Sequence, residues 1–75
     1  MSIELELRQL EVQYRYALSG AVAAKARYLA SADSRRASPT HVAALLTAWL
    51  SLVERKRALA RRMSALEQLE KTGLH

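Results

Sequence analysis

The chain has 75 residues and a mass of 8.4 kDa, enough for one small domain and too little for a deep cleft between two layers. Half of it is apolar (51%), yet alanine supplies 14 of those residues, phenylalanine and cysteine are absent, and neither a disulfide nor a thiolate metal site is available. The net charge of +5 directs attention to acidic proteins, nucleic acid or an anionic membrane surface as partners.

That charge is unevenly spread. Residues 1–14 are net −2, 15–37 net +4, 38–53 uncharged, 54–62 net +4 and the remainder net −1. Glu4 and Glu6 interrupt any basic-then-apolar leader pattern. No run approaches the roughly 18 apolar residues of a membrane span. A cytoplasmic location is the resulting expectation.

Helix formers dominate from Ser2 to Ala32. Apolar residues recur at Ile3, Leu7, Leu10, Tyr14, Ala17/Leu18, Ala21/Val22 and Tyr28/Leu29, in steps of three and four. The spacing predicts a first helix over about residues 2–32, with Ser2 as N-cap and Glu4 and Glu6 complementing its positive end. Bulk suggests that the stripe drifts by one position near Leu18, as on a straight helix of 3.6 residues per turn. Gly20 is either a point of close helix approach or merely tolerated, at about 1 kcal/mol against alanine.

A turn is predicted over 33–38, where Asp33-Ser34-Arg35-Arg36-Ala37-Ser38 precedes Pro39. Ser38 as N-cap and Pro39 at the first helical position then open a second helix over about 39–72, with Gly73 as its stop. Its stripe is Val42, Leu45, Leu46, Trp49, Leu52, Val53, Leu59, Met63 and Leu66, interrupted by Lys56, whose charge can snorkel outward. Two long helices on a short connection make an antiparallel hairpin. Folding about the turn sets residue i near residue 71 − i, so Glu11 is expected near Arg57 and Arg61, and Arg15 near Glu54.

The second helix carries more apolar surface than one seam needs. Leu50 lies well off the line of Val42, Leu45, Trp49 and Leu52, and Leu5, Val12 and Leu18 lie beside the main line of the first helix. A helix apolar most of the way round is buried on more than one side. The expected architecture is therefore an all-α antiparallel two-helix hairpin, completed as a four-helix bundle by dimerisation or by a partner. The expected interface is Val42, Leu45, Leu46, Trp49, Leu50 and Val53, with Trp49 either an anchor or a filler of the hairpin seam.

Catalytic, cofactor and metal sites are not expected. His41 sits in a helix first turn and His75 is the last residue. No second histidine stands at helical spacing, and no glycine-rich phosphate loop occurs. The function these features favour is non-enzymatic protein–protein interaction, as an adaptor, co-chaperone or inhibitor. The alternative is a basic dimeric bundle that binds RNA or DNA through Arg55, Arg57, Arg61 and Arg62, with Arg35 and Arg36 as a second basic spot. The tyrosines fall mostly on the apolar stripe, which leaves few stacking platforms. A membrane-surface helix ranks last, because the apolar face of helix 2 already has helix 1 as a mate.

Two segments carry a family likeness: Leu7-x-x-Leu10-Glu11 in the first helix, and Ser38-Pro39-Thr40-His41-Val42-x-x-Leu45 opening the second. In these and in its layout the chain resembles the small helical-hairpin co-chaperones of type III secretion, which pair with a larger chaperone to hold needle subunits. The resemblance implies an all-α hairpin with a protein partner in a bacterial setting. It departs at His41 and Val42, where that family often has a tyrosine, and at Trp49 and the basic stretch 55–62. Small phage-encoded proteins that dock on a host regulator have the same economy of size.

Overall fold

A computed structural model describes residues 2–73. Helix α1 runs over Ile3–Ala32 and helix α2 over Pro39–Thr72, and the two pack against each other as an antiparallel hairpin. The rod measures 61 × 15 × 14 Å.

The helix ends follow from local chemistry. The Ser2 hydroxyl accepts from the Leu5 N–H at 3.4 Å, with Glu4 and Glu6 in the same positively polarised turn. Ser38 has extended backbone, its hydroxyl accepts from the His41 N–H at 3.1 Å, and Pro39 follows where no N–H is needed. Asp33 closes α1 through its N–H to the Leu29 carbonyl. Gly73 ends α2 with φ −84°, so its stop makes no use of glycine's left-handed freedom.

The mutual seam differs from the one that bulk suggests. The buried positions of α1 are Ala17, Ala21 and Ala24, while Leu18, Val22 and Leu29 are exposed, Val22 at 64%. With the half-buried Ile3, Leu7, Leu10, Tyr14, Tyr28 and Ser31 they keep a strict alternation of four and three. The expected drift near Leu18 therefore does not occur. The matching line on α2 is Val42, Leu45, Trp49, Leu52, Lys56, Leu59, Met63, Leu66 and Glu70, again in steps of three and four. This is coiled-coil spacing. Bulky residues of α2 demand small ones opposite, and the alanines of α1 meet that demand.

The register is that of the fold about the turn, but the ion pairs are not those expected. Glu11 pairs with Arg15 one turn along its own helix, at 2.7 Å. The cross-helix pair is Glu6 with Arg62, at 2.9 Å. The sum rule fixes which residues lie level; it does not say on which flank of the hairpin each one lies. Glu6 and Arg62 share one flank; Glu11 lies on the other side of α1, where Arg15 one turn along engages its carboxylate. Both pairs are largely exposed and mark register more than they stabilise.

Gly20 is tolerated rather than required. A Cβ there would meet the Leu52 Cδ1 methyl at 3.4 Å, ordinary contact with a movable side-chain end. Gly20→Ala should therefore stabilise the hairpin by about 0.5–1 kcal/mol through helix propensity. Thermal melts of the two proteins side by side check this, and a lower midpoint for the variant would count against it.

Candidate interaction face

The hairpin buries little of itself. Its only buried apolar side chains among the described residues are three alanines and Leu66. Its accessible surface is 6059 Å². A compact chain of this mass exposes about 4,600 Å². The excess, about 1,400 Å², exceeds the roughly 800 Å² that each partner buries in a standard interface.

One side of the rod gathers much of the unburied apolar surface. On α1, Leu18, Val22, Lys25 and Leu29 follow one another by four, three and four residues, which places them in one stripe beside the seam. On α2, Leu46, Leu50 and Val53 do the same. The two stripes border a common shallow groove lined by Leu18, Val22, Lys25, Trp49, Val53 and Lys56. Beyond Val53 a second furrow on α2 is lined by Leu50, Val53, Glu54 and Arg57. Val53 joins the two, so the surface is continuous from α1 to Leu50.

The six residues singled out on α2 divide between seam and groove. Val42, Leu45 and Trp49 are seam positions and half-buried; Leu46 and Val53 flank the seam, also half-buried; Leu50 is 49% exposed. Trp49 does both jobs. Its ring stacks on Tyr28, centroids 5.7 Å apart, and the Lys25 ammonium lies 5.7 Å from the Trp49 ring centre. Lys56 occupies a seam position and also lines the groove. Val22 and Leu29 are the members that sequence reasoning left as alternatives to Ala21 and Tyr28 on the seam line. The signal that could have found them is the unbroken four–three spacing, which selects Ala21 and Tyr28 for the seam. Leu5 and Val12 are exposed on the outer side of α1.

The basic residues do not form one row. At about 100° per residue, Arg55 and Arg62 fall on the flank opposite the groove, and Arg57 and Arg61 point well away from them. Arg62 is engaged by Glu6. Arg55 shares a shallow depression with Gln13 and Tyr16, the one strongly exposed tyrosine. Arg35 and Arg36 are exposed in the connection, where the Arg36 N–H donates to the Ser34 hydroxyl.

His41 is exposed and its backbone serves the Ser38 cap; His75 lies outside the described residues. Among the described residues, no three His, Asp or Glu side chains gather in one place, and no helix is long and apolar enough to cross a membrane. Comparison with family models, with curated proteins and with solved structures finds no match for the chain.

Proposed function

We propose that this chain is a non-enzymatic interaction module, acting in the cytoplasm as a small adaptor, co-chaperone or inhibitor. Its work is to bury the Leu18–Val22–Leu50–Val53 side of the hairpin against another protein surface, a partner or a second copy. The observation that carries this reading is the largely apolar surface that runs from α1 through Val53 to Leu50, on a rod whose described residues include one large buried side chain, Leu66. Trp49 supplies a ring already fixed by Tyr28, the kind of rigid aromatic that anchors interfaces. The surrounding charges set orientation and on-rate more than affinity.

A second reading rests on the opposite flank, where Tyr16 lies exposed beside Arg55, with Arg62 one heptad further along α2. An aromatic with cations beside it is the minimal equipment for a single-stranded nucleic acid. The groove side has no role in that reading, so the two are separable.

Leu50→Glu separates them. Leu50 is exposed and off the seam, so the variant should keep its helical circular dichroism. Forcing a carboxylate into an apolar interface should weaken association at least about tenfold, or about 1.4 kcal/mol. The measurement is solution mass by light scattering, alone and after co-purification from the native host. A wild-type chain that stays a monomer of 8.4 kDa with no partner lost in the variant would overturn the proposal. Salt-sensitive retention of RNA or DNA by wild type and Leu50→Glu alike would favour the second reading.

A further inference from the structure

We infer that the occupant of the groove is an acidic amphipathic helix of a partner protein, not a second copy of this chain. The inference rests on the interaction reading above and names the chemistry of the other side. The groove is lined by the apolar Leu18, Ala21, Val22, Trp49 and Val53, with Lys25 and Lys56 as its charged members. Among the described residues no carboxylate lines it; Glu54 lines the outer furrow beside Arg57. The groove is therefore apolar with both of its charges positive, Lys56 at a seam position and Lys25 over the Trp49 ring.

Two further observations choose the occupant. Each copy carries +5, and a twofold contact through this face would bring Lys25 and Lys56 of both copies to one interface, where Glu54 of the outer furrow is already offset by Arg57 in the same lining. A partner with carboxylates flanking its apolar stripe removes that conflict and gives Lys25 an acceptor. The form of the partner follows from the backbone. Both sides of the groove are helices whose peptide groups are paired internally, so no strand can be added along them. What fits beside two helices is a third, with apolar residues at i, i+3 or i+4, and i+7. From Leu18 to Leu29 the exposed stripe of α1 is about 17 Å long at 1.5 Å per residue, or about three helical turns.

Trp49 is the single tryptophan and lines the groove, so its fluorescence reports occupancy directly. The probe is a side-chain-stapled helical peptide with leucines at the spacing above and glutamates flanking them. The control is the same peptide with lysine in place of every glutamate. The expected result is a saturable change in Trp49 emission with the glutamate peptide, at least about tenfold tighter than with the lysine peptide and weakening as salt is raised. Lys25→Glu should reverse the preference between the two peptides; because Lys25 is exposed, that variant should stay helical. Lys25→Gln should remove most of the preference without reversing it.

Equal binding of the two peptides, or binding of neither, overturns the inference. So does a change in Trp49 emission on raising the concentration of the protein alone, which would make a second copy the occupant. A response to phosphatidylglycerol vesicles with none to the glutamate peptide overturns it in favour of a membrane surface. Loss of association in Leu50→Glu alongside failure of the glutamate peptide would leave the interaction reading standing and this inference refuted.

Discussion

Leu66→Ala is expected to unfold a large share of the molecules. Leu66 is the one large buried side chain among the described residues, at 5% exposure, and it lies on the seam one turn beyond Arg62. The Glu6–Arg62 pair sets α1 and α2 in register here, which brings Leu66 level with the first turn of α1. Truncating a buried leucine costs about 2–5 kcal/mol through lost transfer energy and the cavity left behind. A single core in a chain this small supplies about 3–5 kcal/mol in all. The loss is therefore comparable to the whole stability of the hairpin. Urea titration followed by helical circular dichroism measures it, and a midpoint within error of wild type would show that Leu66 is not a core residue. Leu69→Ala is the control. Leu69 is 56% exposed on the same helix, so the same chemical deletion should stay within about 0.5 kcal/mol.

The helices and their caps are legible in the sequence because they depend on neighbours. Ser2 before Glu4 and Glu6, and Ser38 before Pro39, act through hydrogen bonds spanning three residues, and spacing alone exposes them. The seam of α1 is a different kind of fact. At the pairs Ala17/Leu18 and Ala21/Val22, hydrophobicity favours the larger residue, and the structure buries the smaller. The choice depends on the bulky Trp49 and Leu52, which lie across the seam beside Ala21 and Ala17. That information lies about thirty residues away in the chain. On the candidate face, the offset of Leu50 is readable from spacing, as is that of Leu18. Val22 and Leu29 become readable as surface residues only once Ala21 and Tyr28 hold the seam.

Ala21→Leu tests that assignment with the second large effect. Ala21 is 6% exposed, between Ala17 at 3% and Ala24 at 9%. A leucine adds three carbons where two helix backbones approach across a methyl-lined seam. Neither helix can yield locally, because each is continuous through this region. The helices must separate, and separation also loosens Ala17, Ala24 and the Tyr28–Trp49 stack that continue the same line. Overpacking of this kind costs about 1–3 kcal/mol. Against a stability of about 3–5 kcal/mol, the variant should melt far below wild type and show a changed Trp49 emission even when folded. Val22→Ala, one residue along, should do the opposite. Val22 is exposed, so its truncation should leave the melting of the hairpin nearly unchanged while weakening the association proposed for the groove. Bulk-based reasoning predicts the reverse pattern, with Val22→Ala damaging the core and Ala21→Leu improving it. If melts of the two variants follow that reverse order, the alanine seam is wrong, and the Leu18–Val22–Leu29 stripe belongs to the interior of the hairpin and is not available to a partner.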